Sequence, residues 1–321
     1  MKKTIILLIL AAAMILPVYA GGSKEGAAYP SEPINIVVPS NAGGSTDATA
    51  RQFGQIAKKY WPEANFVVVN IGGSGGLKGF DEIADAKPNG YNLGMLFTPQ
   101  IVSHICSGLA HYNLDSFHYI GNIVEDPGIV VVPEKSDINT LDELKAAAKA
   151  KKLVATVNGI GSDDYIAAKS FEKIAGVEFN IMPTNGSTEQ KAAILGGHVD
   201  VGFMNLSQML ANYRSGKVKI IAITTRKRSE MEKSIPTTKE QGYEFYMTAT
   251  RGLVCQASVD KKITKALDDL LVKVLADPEF KELMEKQLIS LAPMNSKEYR
   301  EHLEELKAQT QVVYDAAPWG N

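Results

Sequence analysis

The sequence predicts an α/β fold divided into two lobes. Short apolar runs recur along the chain, each followed by a glycine-bearing turn and a helix-like segment. The runs are apolar throughout rather than alternating, as in parallel strands covered by helices on both faces. Two long extended passages, 117–135 and 243–256, lie between otherwise complete strand–helix sets, one out and one back. Alternating strands and helices define the class.

The elements follow in order. "INIVV" (34–38) leads into "PSNAGGST" and a helix with Ala50, Phe53, Ala57 and Tyr60 on one face. "FVVV" (66–69) leads into "NIGGSGG" and "LKGFDEIADA". "LVATV" (153–157) leads into "NGIGS" and "DDYIAAKSFEKIAG". "FNIM" (179–182) leads into "PTNGS" and "TEQKAAILGG". Thr140 with Glu143, and Ser187 with Gln190, have the spacing of capping boxes. Gly176 and Gly196 suit helix C-termini. The passage 117–135 reads as a strand, a polar break and a second strand. From Thr264 onward the chain is largely helical, broken near Asp277-Pro278.

The first 20 residues read as a secretory signal peptide: Lys2 and Lys3, an uncharged apolar run over 5–16, then Val18-Tyr19-Ala20 as a cleavage site. The run is shorter than the roughly 20 residues a membrane helix needs. Cleavage is expected after Ala20, and no cysteine follows that would take a lipid anchor. Residues 21–28 form a flexible leader. The remainder suggests two domains. Hydrophobic residues make up 45% and charged residues 22%, an ordinary globular composition. Removing two of the 34 basic residues leaves 32 against 36 acids, a net charge near −4. That excludes a nucleic-acid footprint, so an anionic ligand must be caught by local geometry.

Cys106 and Cys255 are the only cysteines, and an oxidising compartment permits a disulfide between them without requiring it. None of the five histidines stands in a metal-binding pattern. No metal or cofactor is expected.

The four glycine-bearing turns are candidate anion cradles. A helix N-terminus presents free backbone N–H groups and partial positive charge, and glycine lets the backbone approach an anion. Such turns cluster at the carboxyl ends of strands. A glycine there can equally serve backbone geometry alone. Phosphate motifs fail on the letters: "GGSGGLKG" (72–79) is neither a P-loop nor a dinucleotide fingerprint, and Gly159-Ile160-Gly161 is followed by Ser162, Asp163 and Asp164. There is no G-x-S-x-G elbow. The pair Asp163-Asp164 suits a helix start, where acids complement the dipole. Ser45, Thr46 and Asp47 could cap the first helix. Arg251, in the apolar passage "TATRGLV", needs a partner or a ligand.

These residues resemble a known family. "YPSEPINIVVPSNAGGSTDATAR" is similar to the opening of the extracytoplasmic receptors of tripartite tricarboxylate transporters, the Bug-type binding proteins. "VVVNIGGSGGLKGFDEIADAKPNGYNL" and "GGHVDVGFMNLSQMLANYRSGKVKIIAITTRKR" continue the match almost to the C-terminus. The resemblance implies a two-lobed periplasmic-binding-protein fold of type II-like form. Each lobe would be a mixed, mostly parallel sheet flanked by helices, with the ligand cleft between them. Lobe one would comprise 29–125 and 248–321, and lobe two 126–247.

Carried over by position, the first cradle is Ser40, Asn41, Ala42, Gly43, Gly44, Ser45, Thr46 and Asp47. The second is Gly73, Ser74, Gly75 and Gly76. Lobe two contributes Gly159, Gly161, Ser162, Thr184, Asn185, Gly186 and Asn205. Thr98 and Arg251 complete the set. Family members often carry Tyr and Lys where Thr184 and Asn185 stand, an acid where Met204 stands, and a His near Asp164 or Tyr165; all these departures fall on lobe two.

The expected function is periplasmic capture of a small organic acid, such as a di- or tricarboxylate, for delivery to the permease subunits of a tripartite transporter. No catalysis, no nucleic acid and a monomer are expected. A secreted α/β hydrolase or transferase, or a receptor feeding a signalling partner, are the alternatives.

Overall fold

The structure, a computed structural model, describes residues 29–319. The expected signal peptide and leader (1–28) lie outside the described residues. The first half of the fold is built from β1 (Ile34–Val38), α1 (Ser45–Tyr60), β2 (Phe66–Asn70), α2 (Leu77–Ala84), β3 (Asn92–Phe97) and α3 (Gln100–Cys106). The long β4 (Phe117–Pro133) leads to α4 (Leu141–Ala150), β5 (Val154–Val157), α5 (Asp163–Ala175), β6 (Asn180–Pro183), α6 (Ser187–Leu195), β7 (Val201–Asn205), α7 (Leu206–Arg214) and β8 (Val218–Ile223). The chain returns along β9 (Thr248–Gln256) and ends with α8 (Lys261–Ala276), α9 (Pro278–Lys286), β10 (Leu291–Met294) and α10 (Ser296–Ala316).

Among the described residues ten strands form one hydrogen-bonded sheet; eight follow the path β2-β1-β3-β9-β4-β7-β5-β6, and β8 and β10 lie off it, each paired to β4. The outer strands pair parallel: β1 with β2 and β3, β5 with β6 and β7. The central strands β4 and β9 run antiparallel to their neighbours. The residues 117–135, expected as two strands with a break, form the single 17-residue strand β4. Its first part, to Pro127, pairs with β9, and its last part, from Gly128, pairs with β7 and β8. The Asp126-Pro127-Gly128 segment survives inside a strand because it sits where β4 changes partners, so regular pairing on both edges is not demanded of Pro127.

Each half has helices on both faces. In the first, Ile34, Ile36 and Val38 of β1 pack with Phe53, Ile56 and Ala57 of α1 and with Leu267, Leu270 and Leu271 of α8, while Phe80, Ile101 and Tyr299 fill the other face. In the second, Phe171 of α5 and Leu144 of α4 cover one face, and Ile194 of α6 with Leu210 of α7 the other. Burying a side chain of this size stabilises by about 1.5–3 kcal/mol. Two of the apolar runs are not doubly covered, however. β2 and β6 are the edges of the path, and Val67 and Val69 point outward, 39% and 37% exposed. Cys106 and Cys255 are free thiols; Cys255 is buried in β9, so the permitted disulfide is absent.

Candidate ligand-binding site

Two helix N-termini face each other where the halves meet. Gly44 precedes α1 and Gly186 precedes α6, and neither end has a side-chain cap. The Ser187–Gln190 capping box does not form, because Ser187 is already the first helical residue. Gln190 instead points inward and donates to Thr156 O and Asp164 Oδ2. The first turn-closing bonds are Ala48 N–H to Gly44 O and Gln190 N–H to Gly186 O. Among the described residues, the amides of Ser45 and Thr46, and of Ser187 and Thr188, therefore have no acceptor. The ends are close. A Cβ built on Gly44 would lie 3.3 Å from Ser187 Oγ, and Ser45 Oγ is 3.1 Å from Ser207 Oγ.

The neighbouring helix starts are closed by contrast. Ser162 Oγ accepts from Tyr165 N–H at 3.0 Å at the head of α5. At α7, Asn205 and Gln208 bond reciprocally and Ser207 N–H donates to Asp126 Oδ1. The fold thus leaves open two of the four helix ends gathered here, and both border one cavity of about 200 Å³. That is below the roughly 300–1,000 Å³ of drug-sized sites and suits a ligand of a few carbons.

The expected residues divide into three groups. Ser40, Asn41, Ala42, Gly44, Ser45, Thr46, Thr98, Gly186, Asn205 and Arg251 line this cavity. Gly73, Gly75, Gly76, Thr184 and Asn185 line a smaller side hollow that shares Ser40, Phe97, Gln100 and Asn158 with it. Gly76 has φ +95°, and a Cβ there would come within 2.7 Å of Phe97 Cζ, so only glycine brings the turn this close. Gly43, Asp47, Ser74, Gly159, Gly161 and Ser162 line neither space.

Three of these outliers have structural work. Asp47 accepts from Gly43 N–H, Arg51 and Asn70, which fixes the loop from behind. Burial raises its pKa, but those bonds and the Arg51 charge outweigh it and hold the carboxyl below its ordinary value. The first cradle is thus narrower than expected, because the Gly43 amide is already occupied. Gly161 O accepts from Ser103 Oγ at 2.6 Å, and Ser162 caps α5.

Arg251 is both paired and at the cavity. Its Nη1 donates to Asp126 Oδ2 at 2.9 Å and its Nη2 to Asn205 Oδ1 at 3.2 Å, while the buried Nε has no partner. Asn205 Nδ2 donates in turn to Asp163 Oδ2 at 2.6 Å. Asp163 and Asp164 stand in the first turn of α5, as expected, and both are buried there. Burial pushes both carboxyls above their ordinary values. His104, beneath Gly75, is lowered by burial to about 4 and stays neutral at neutral pH.

Sequence reading missed Phe97, Gln100, Asn158, Asp163, Ser187, Thr188, Glu189, Gln208 and Ala249 as cavity residues. Ser187 and Thr188 follow Gly186 directly, and extending the cradle one turn into α6 would have found them. Gln100 and Ala249 carry no local signal. Chemically, the site can hold an anion by backbone amides and helix dipoles without a free lysine or arginine. Among the described residues, no group of His, Cys, Asp and Glu is arranged to hold a metal ion.

Comparison with known proteins places this geometry. The chain is 28% identical over 289 residues to a protein in the gbd 5′ region of Cupriavidus necator, covering 89% of this chain and 88% of that one. It is 28% identical over 254 residues to BugT of Bordetella pertussis, covering 75% of each. The periplasmic binding protein BugD superposes with a TM-score of 0.82 at 25% identity, over 90% of this chain and 98% of BugD. MatC of Rhodopseudomonas palustris, solved with bound malate, shares the fold with a TM-score of 0.82 at 20% identity, over 89% of this chain and 99% of MatC. The family of tripartite tricarboxylate transporter receptors matches residues 50–316. That span takes in the open end of α6 and most of α1, and this chain belongs to the tripartite tricarboxylate transporter receptor family.

Proposed function

We propose that this receptor captures a small organic acid in the cavity between α1 and α6 and delivers it to the membrane subunits of a tripartite transporter. The observation that carries the reading is the pair of opposed, uncapped helix N-termini with acceptor-free amides on both. A carboxylate supplies the missing acceptors and meets two positive dipole ends. Arg251, neutralised by Asp126, adds position rather than net charge. MatC holds malate in the same fold, which supports an acid of this size. The periplasmic location of BugD and the signal-like residues 1–20 support a periplasmic one here.

The division expected at 125/126 and 247/248 is supported by β4, which pairs with β9 up to Pro127 and with β7 and β8 beyond it, and by the return of the chain into β9 at Thr248, which make two crossings. Two crossings permit rotation about a hinge, and ligand favours the closed arrangement by bridging α1 and α6. The test is calorimetric titration of the purified protein with malate, succinate, adipate, glutarate and citrate. Saturable binding at one equivalent by a member of this set is expected. Absence of binding by all at millimolar concentration would contradict the reading.

A further inference from the structure

The halves also meet behind the cavity, away from β4 and β9. Ser103 of α3 belongs to the half built on β1–β3, and its buried Oγ donates to Gly161 O at 2.6 Å. Gly161 stands in the turn before α5, in the other half. Neither residue lines the cavity, but each is next to one that does: Gln100 lies one turn before Ser103 on α3, and Asp163 follows Gly161 by two residues. The bond thus ties together the two elements that carry Gln100 and Asp163.

Trp319 covers this bond. α10 is anchored in the first half, where Tyr299 and Leu303 share a core with Ile101 and Val102 of α3 and with Tyr119 of β4. Beyond α10, the chain passes Ala317 and Pro318 and places the Trp319 indole, 6% exposed, on the second half. Its ring meets Tyr165 of α5 edge to face at 6.0 Å and Tyr314 of α10 at 4.9 Å. A Cβ built on Gly161, which has φ +76°, would lie 2.7 Å from Trp319 Nε1 and 3.3 Å from Ser103 Cβ. Glycine at 161 is what lets the indole and Ser103 reach this turn together. The last turns of α10 themselves stand off from α5: Val312 and Ala316 face Ile174 and Phe245 across a hollow of about 720 Å³. A helix packed flat on α5 would make a fixed interface. Contact through one side chain, over a hollow, can be made and broken as the halves rotate.

Resting on the receptor reading, we propose that Trp319 and the Ser103–Gly161 hydrogen bond form a latch that holds the halves closed, so that Trp319 sets how tightly ligand is retained without touching it. Both contacts exist only while α3 and the α5 turn are together, so both favour the closed arrangement over the open one. The indole keeps water from the Ser103–Gly161 bond, which strengthens it. Apparent affinity scales with the fraction of receptor that is closed, so Trp319 is a positioning residue for binding.

The test compares wild type, Trp319→Ala, Ser103→Ala and the double variant. Small-angle scattering of the unliganded proteins should give Trp319→Ala and Ser103→Ala a larger radius of gyration than wild type. Calorimetric titration uses whichever of malate, succinate, adipate, glutarate and citrate binds wild type tightest. Trp319→Ala should bind it at least tenfold more weakly, and Ser103→Ala about fivefold, as the loss of one hydrogen bond implies. The double variant should lie within twofold of Trp319→Ala, because the bond has little effect once its cover is gone. Equal radii for unliganded wild type and both variants overturn the latch. So do affinities within twofold of wild type in cooperatively folded single variants, or a double loss equal to the product of the single losses. Should Trp319→Ala fail to melt cooperatively, Ser103→Ala decides by the same two readouts. If none of the five acids binds wild type, the receptor reading falls by itself, and the radii still decide whether the latch exists.

Discussion

Replacing Gly44 by valine probes the contact between the two open helix ends. Gly44 has φ −85°, a conformation that any residue adopts, so the substitution introduces no backbone strain. Its Cβ would already stand 3.3 Å from Ser187 Oγ. A valine methyl extends about 1.5 Å further, well inside the roughly 3.5 Å of ordinary contact. The Ser187 hydroxyl must turn aside, and the valine methyls occupy the space between the two ends, so a carboxylate held by one can no longer be held by the other. Losing two charge-assisted hydrogen bonds at about 1.5–3 kcal/mol each weakens binding by about 3–6 kcal/mol, a factor of roughly 10² to 10⁴. The helix cap changes from glycine to a poor capping residue, which costs on the order of 1 kcal/mol of stability. Calorimetric titration with the tightest acid of the panel, paired with a thermal melt, reads both. A cooperative fold with affinity within twofold of wild type would refute the opposed-helix site.

Three other outcomes follow from the same geometry. Arg251→Met strands Asp126 without its cation in a buried site, and chemical denaturation should show a loss of about 3–5 kcal/mol. Gly76→Val forces a side chain into φ +95° and onto Phe97, and should lower stability by on the order of 1–3 kcal/mol. For Asp163→Asn the effect depends on pH. Burial chiefly, and the Asp126 charge next, raise the folded-state pKa of Asp163 above its unfolded value. Its ionised form therefore penalises the fold; the penalty is absent below the ordinary carboxylate range and grows as pH rises through the folded value. The variant without ligand should melt higher than wild type at pH 8, with the gain vanishing near pH 4. A gain that is constant across this range would contradict the assignment.

Much of the fold was legible because its signals are local. The runs at 34–38 and 153–157 are strands, and the Gly176 helix end and the Asp277-Pro278 break stand where the letters place them. Apolar runs do not report edge position, so β2 and β6 looked like interior strands. The Asp126-Pro127-Gly128 segment looked like a break, although it lies inside β4 where the partners change. At the site, glycine turns found most of the α1 and α6 loops. They did not show that Gly43 N–H is already taken by Asp47, or that Asp163 is turned inward, since both depend on contacts closed by the fold. Gln100 and Ala249 reach the cavity only because β3 and β9 pair.

The most direct measurement is a backbone amide titration by nuclear magnetic resonance, with assigned ¹⁵N-labelled protein and a binding acid from the panel. The amides of Ala42, Gly44, Ser45, Thr46, Ser187 and Thr188 should shift together and saturate at one equivalent, with the proton resonances moving downfield as each gains an anionic acceptor. Shifts confined to one of the two helices, or centred away from both, would contradict a carboxylate held between α1 and α6.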